Sequence, residues 1–330
     1  MRRPASASTK SSASPTWTDR HHCAMTTATL LLPEKRRLPG TLGDTAVARA
    51  LACADGHSAD AGEVAQLQRH FSLTPAHWPV AALTRQLDAG DAAGATWVRA
   101  DPAYVVPDMQ GARLMGYGEA LGPTADDLAV LLPILKPMFG DAGFLLDAPT
   151  PSRWYLRLSP DAKLPDFAPP DVAIGDDLFE HLPAGDSGRR WRALLTEAQV
   201  LLHQHPWNEG RVASGKPAIN SLWFWGGGVL PHAVSSPHRQ VRSRESLLRA
   251  LALAAGADAQ GEQRVDALVD LRHLRSLQQF SDDAVAPLLA AMARGELDRL
   301  VLDFQDGESV ALTHAQRWRF WRKPRVQLAQ

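Results

Sequence analysis

Cysteine is nearly absent from this chain. Two occur in 330 residues, Cys23 and Cys53, which excludes a disulfide framework and a cysteine-rich metal site. Net charge is nearly absent too: 35 Lys and Arg stand against 36 Asp and Glu, a formal −1 at pH 7. No global field therefore draws the chain to DNA or to a membrane surface. No apolar run approaches the roughly 18 residues of a membrane span. Residues 11–24 hold no apolar stretch ahead of a small-residue cleavage site, so no signal peptide is read there. No internal repeat is visible, and no Ser-His-Asp or Cys-His arrangement follows from spacing. These absences predict a cytoplasmic protein with no cofactor and no metal, and with neither nucleic acid nor membrane among its partners.

What is present is a globular composition, 45% hydrophobic and 22% charged, with enough chain for a large buried core. Residues 1–24, rich in Ser, Thr, Ala and Pro, read as a disordered extension upstream of a natural start at Met25. Residues 25–330 read as a single α/β domain with a Pro-rich excursion at 159–175. Residues 28–32 form a strand candidate, and 41–54 and 61–70 look helical. Residues 79–87 suit a helix that ends at Gly90. Residues 96–106 read as extended chain. Thr124 is an N-cap with Asp126 and Asp127 in the first turn. The helix it opens should be kinked or short, because Pro133 and Pro137 interrupt it.

Residues 143–146 and 154–158 suggest an antiparallel hairpin with a longer loop. Ser187 suits the cap of an amphipathic helix carrying Trp191, Leu194, Leu195, Ala198 and Leu202. Residues 264–271 make a further strand candidate. Asp306-Gly307 between residues 297–304 and 309–313 is the strongest hairpin signal. The predicted fold is α/β: a mixed sheet with helices packed on it, and antiparallel hairpins in the middle and at the C-terminal end.

The most informative stretch is 201–228. Trp223, Phe224 and Trp225 alternate as a strand would, with Trp223 and Trp225 on one face and Phe224 on the other. A strand this apolar is expected to be central in its sheet, with its end opening where α/β ligands bind. Gly226, Gly227 and Gly228 read as a turn that lets a ligand or another backbone approach closely. Asn208, Arg211 and Asn220 supply neutral and charged donors for an oxygen-rich ligand. The expected ligand-binding set is therefore Asn208, Arg211, Asn220, Trp225, Gly226, Gly227 and Gly228. His203 and His205 read as closing a helix rather than binding metal. The tail from Arg317 to Lys323 alternates basic and aromatic residues, as a charged edge strand would.

Asn208, Arg211, Gly215, Lys216, Pro217, Asn220, Leu222, Trp225, Gly226 and Gly228 are spaced as in a short stretch of the archaeal-type cofactor-independent phosphoglycerate mutases, which this stretch resembles. Those are metal-dependent enzymes of the alkaline-phosphatase superfamily. Trp225 stands where that family has an arginine. Leu32 is followed by Pro33-Glu34-Lys35 rather than Asp-Gly. Asp270-Leu271-Arg272-His273 and Asp303-Phe304-Gln305-Asp306 do not match the family's later metal motifs.

Over nearly its whole length from Met25, the chain resembles a bacterial family labelled phosphoglycerate mutase-like, which includes the regulatory protein RpfE. The residues that carry this are Ala100-Asp101-Pro102, Arg153-Trp154-Tyr155-Leu156, His205-Pro206 with Asn208, Asn220 through Gly228, and Arg317-Trp318-Arg319-Phe320-Trp321. The resemblance implies a regulatory protein of undefined biochemical activity, binding a small oxygen-rich ligand or a protein partner, without an intact mutase metal core. The alternative is a metal-dependent phosphoryl-transfer enzyme related to cofactor-independent phosphoglycerate mutase.

Overall fold

The computed structural model describes residues 26–109, 111–258, 266–319 and 321–328. The extension at 1–24 lies outside the described residues. In chain order the strands are β1 (Thr27–Leu32), β2 (Asp55–Ser58), β3 (Ser72–Thr74), β4 (Thr96–Asp108), β5 (Gly111–Tyr117), β6 (Leu145–Thr150), β7 (Arg153–Leu158), β8 (Ser221–Val229), β9 (Ala233–Ser235), β10 (Gln240–Arg242), β11 (Ala267–Asp270), β12 (Arg299–Phe304) and β13 (Glu308–Thr313). The α-helices are α1 (Ala46–Cys53), α2 (Glu63–Gln68), α3 (Val80–Ala89), α4 (Ala125–Asp141), α5 (Pro170–Ala173), α6 (Gly185–His203), α7 (Trp207–Ala213), α8 (Ser246–Ala254) and α9 (Ala286–Ala293).

The first sheet runs β10-β11-β1-β12-β13-β2. Its first four strands are parallel, and β13 and β2 are antiparallel additions. The alternation of β1 explains why it sits inside. Leu30 and Leu32 join one buried cluster with Leu300, Leu302 and Phe304. Leu31 joins another with Leu67, Leu248 and Leu268 on the opposite face. A parallel sheet needs cover on both faces, and these helices supply it. The β12–β13 hairpin turns at Gly307, whose φ is 89°. A Cβ there would lie 2.2 Å from the Ala59 carbonyl oxygen, so glycine is required twice over.

The second sheet is antiparallel and built on β4. This long strand pairs β8 on one side, and β7 and then β5 on the other. One face packs Val98, Ala100, Leu156 and Phe224 against α4 and α6. The other packs Trp97 and Tyr155 against Ala81 and Ala82 of α3. Because α3 also packs on α8, it joins the two sheets. The expected mixed α/β architecture with antiparallel hairpins is thus what the chain adopts. Among the described residues, no helix is long and apolar enough to cross a membrane.

Several local expectations need correction. The strand β8 is not central: among the described residues it pairs with β4 alone. Its apolar character comes from cover on both faces, Phe224 lying in the α4/α6 core and Trp223 against Ala173 and Leu178. Helix α4 runs 17 residues through Pro133 and Pro137. Its buried Leu131, Leu132, Leu135, Met138 and Phe139 offset the hydrogen bonds that two prolines remove. Only Pro151 and Ser152 separate β6 from β7, so that loop is short. Ala184, not Ser187, is the N-cap of α6. The C-terminal tail is no edge strand: residues 314–318 form a 3₁₀ helix, and Arg319 binds the Cys53 carbonyl and the Asp55 carboxylate. Phe320 lies outside the described residues.

Candidate functional site

The carboxyl ends of parallel strands are where open α/β sheets bind ligands. Here the chain leaving the parallel strand β10 enters α8, and a cleft of about 1010 Å³ lies between this segment and the second sheet. Its floor is Arg99 of β4 with Trp225, Gly226 and Gly227 of β8. Glu63 of α2 and the start of α8, including Arg244, Glu245 and Arg249, form one wall. Tyr117, Arg153 and residues of the Pro-rich excursion, among them Leu164 and Phe167, also line it.

The floor is charge-compensated. Arg99 and Asp101 are two apart on a strand, so their side chains share a face. The Arg99 Nε and Nη2 donate to the two Asp101 carboxylate oxygens, each at 2.8 Å. Asp101 is fully buried and also accepts from Trp225 Nε1 at 2.7 Å. Burial pushes the Asp101 carboxyl above the usual range, against the pull of Arg99. The Arg99 guanidinium lies between the rings of Tyr155 and Trp225, at 5.3 and 5.2 Å from their centroids, a cation–π sandwich. Tyr117 meets Trp225 edge-on, and burial pushes its phenol up to about 12. Arg153 is bidentate on Asp88, with both contacts at 2.7 Å, and Tyr155 donates to the same carboxylate.

The wall differs. Arg244 and Arg249 are exposed and make no ion pair among the described residues. Both line the cleft. Just behind them Arg272 is surrounded by carboxylates. Its Nε and Nη2 donate to Asp270 at 2.8 and 3.0 Å, and its Nη1 donates to Glu63 at 2.8 Å. Its Nη2 lies 3.6 Å from Glu245. Glu245 in turn caps α8 by accepting from the Leu247 and Leu248 amides. Burial raises the Glu63 carboxyl more than Arg272 lowers it. At Asp270 burial is outweighed by the hydrogen bonds of Arg272 and Ser243, and the net shift is downward.

A second buried cluster ends β12. Asp303 accepts from Arg69 Nη2 at 2.8 Å and contacts His70 Nε2 at 2.7 Å. His70 Nδ1 lies 3.0 Å from His238 Nε2. Burial, then the neighbouring His70, lower His238 to about 4.

The carboxylates at this edge do not fit a divalent cation. Asp270 and Glu63 already hold Arg272, and Asp303 holds Arg69 and His70. Among the described residues no group of three or more His, Cys, Asp or Glu side chains could hold a metal ion.

Of the ligand-binding set expected from sequence, Trp225, Gly226 and Gly227 line this cleft. The three glycines are not a turn but part of β8. A Cβ on Gly226 would lie 2.8 Å from Val80 Cβ, and one on Gly228 2.8 Å from Pro79 Cβ. The glycines therefore admit the start of α3. Asn208, Arg211 and Asn220 lie elsewhere, with their polar atoms engaged by the protein. Asn208 donates to the Leu202 and Ile219 carbonyls and accepts from the Ile219 amide. Arg211 binds Asp127 and the Leu121 and Pro217 carbonyls. Asn220 pairs both ways with the Val105 backbone. His205 Nδ1 accepts from the Trp207 amide at the start of α7.

Sequence reasoning did not place Arg99, Arg153, Tyr117, Arg244, Arg249 or Glu63 in a site. One usable signal was Arg99-x-Asp101 in an extended run, where period two puts opposite charges side by side. The others come together only through the fold.

No protein-family model matches the chain. Part of it is 34% identical, over 95 residues, to a probable 2,3-bisphosphoglycerate-independent phosphoglycerate mutase of Geobacter sulfurreducens, covering 27% of this chain and 24% of that protein. A 2,3-bisphosphoglycerate-independent phosphoglycerate mutase of Methanothrix thermoacetophila is 33% identical over 93 residues, covering 27% and 24%. The match thus spans about a quarter of the length of these curated relatives. A cofactor-independent phosphoglycerate mutase from Thermoplasma acidophilum superposes with a TM-score of 0.41 at 17% identity, covering 88% of this chain and 90% of that one. The local sequence matches overturn the expectation of an RpfE-like regulatory protein. The likeness that is shown is local and is to phosphoglycerate mutases.

Proposed function

We propose that this chain is a phosphoryl-transfer enzyme related to cofactor-independent phosphoglycerate mutase, which takes a small phosphorylated acid in the cleft beside α8. The carrying observation is the pair Arg244 and Arg249, exposed guanidinium groups without ion pairs among the described residues, which line the cleft just after the carboxyl end of the parallel strand β10. Guanidinium forks match phosphate and carboxylate oxygens bidentately. A phosphoglycerate presents one of each. The local similarity to phosphoglycerate mutases supports that substrate class. Trp225, Gly226 and Gly227 supply an uncharged floor. Acidic Glu63, Glu119, Asp166, Asp171 and Glu245 also line the cleft; Glu63 and Glu245 face Arg272, so the anion should sit by Arg244 and Arg249 and away from Glu119, Asp166 and Asp171. Because the carboxylates do not fit a divalent ion, no step is assigned to one.

Calorimetric titration with 3-phosphoglycerate tests this reading. The wild type should bind it with a dissociation constant below about 1 mM, and Arg244→Ala/Arg249→Ala should weaken binding at least about tenfold. Equal affinity in the folded double variant, or no heat with the wild type, would overturn it.

A further inference from the structure

We infer that Arg272 is a built-in cation: its guanidinium holds the carboxylates of Glu63, Asp270 and Glu245 together and frees this edge of the sheet from any need for divalent metal. The resemblance to metal-dependent mutases implies a metal, and the residues here disagree with it. The three carboxylates come from three elements, the first turn of α2, the end of β11 and the N-cap of α8. No short-range sequence feature brings them together. Arg272 meets two of them at 2.8 Å, and the third at 3.6 Å. Its side chain is only 10% exposed. Carboxylate oxygens are the donors that hard divalent ions prefer, yet among the described residues no group of three or more such side chains could hold a metal ion. The planar five-donor guanidinium takes that place instead. It thereby ties α2 to α8, both of which line the cleft.

Removing Arg272 would leave three carboxylates facing one another. Like charges in a partly buried site repel, and a divalent ion is the simplest group that restores balance. The substitution should therefore convert a metal-independent protein into a metal-responsive one.

Thermal unfolding of the full chain tests this, in EDTA and in about 1 mM manganese. The wild type and Arg272→Lys should differ by less than about 1 °C between the two conditions, whereas Arg272→Ala should unfold earlier in EDTA and gain about 3 °C or more from manganese. Arg272→Ala/Glu63→Gln, with one carboxylate neutralised, should lose most of that gain. If Arg272→Ala does not fold in EDTA, its recovery when produced with manganese supports the inference. No recovery, an unresponsive folded Arg272→Ala, or a wild type as responsive as the variant would overturn it. The readout is stability and not phosphoester binding, so its failure is distinct from failure of the proposed function.

Discussion

Replacing Arg99 with alanine should lower stability by about 3–5 kcal/mol at neutral pH, the usual cost of breaking a buried ion pair from one side. Asp101 has no access to solvent, and Trp225 Nε1 would remain its one side-chain donor. The loss should also depend on pH in a defined direction. Burial already raises the Asp101 carboxyl, and removing Arg99 raises it further. A carboxyl with a folded-state pKa above its unfolded one favours the folded state most below the unfolded value, near about 4, and loses that advantage as pH rises through the folded one. The deficit of Arg99→Ala relative to the wild type should therefore shrink as pH falls. Urea unfolding at neutral and mildly acidic pH would show it. A deficit under about 1 kcal/mol, or one independent of pH, would mean that the pair does not organise the cleft floor.

Arg211→Ala should be comparably costly, at about 3–5 kcal/mol. Arg211 and Asp127 are 4% and 2% exposed. Asp127 also forms the capping box of α4 with Thr124 and accepts from Trp207 Nε1 at 2.6 Å. Arg211 thus ties α7 to the start of α4 and, through the Leu121 carbonyl, to the loop before it. A large drop in the urea midpoint is the expected outcome. A variant of wild-type stability with impaired 3-phosphoglycerate binding would instead restore Arg211 to the ligand site.

Features set by neighbours in sequence were legible in advance. The Thr124 cap, the stop at Gly90, the hairpin at Asp306-Gly307 and the alternation of Trp223, Phe224 and Trp225 all stand, because each depends on local backbone geometry or side-chain period. Features set by the partner across the fold were not. The apolar run of β8 does not reveal whether another strand or a helix covers it, so an edge strand was read as central. Pro133 and Pro137 signal a break, but the tertiary burial that carries α4 through them has no local mark. Asn208, Arg211 and Asn220 have the right donors for a ligand, yet sequence cannot show that Ile219, Asp127 and Val105 occupy those donors. Arg244, Arg249 and Glu63 are unremarkable surface charges until the second sheet comes to face them. Asp270 and Asp303 end parallel strands as metal-binding carboxylates can, but sequence does not show that arginines are already on them.

The central claim is that the cleft beside α8 processes a phosphorylated acid. Phosphorus NMR of 3-phosphoglycerate incubated with the purified chain, with and without chelator, tests it most directly. The expected result is conversion of the 3-phosphoglycerate resonance to that of a phosphoryl-transfer product. Conversion should proceed at the same rate in chelator and should be lost in Arg244→Ala/Arg249→Ala. An unchanged spectrum with folded wild-type protein, or turnover undiminished in the folded double variant, would contradict the account.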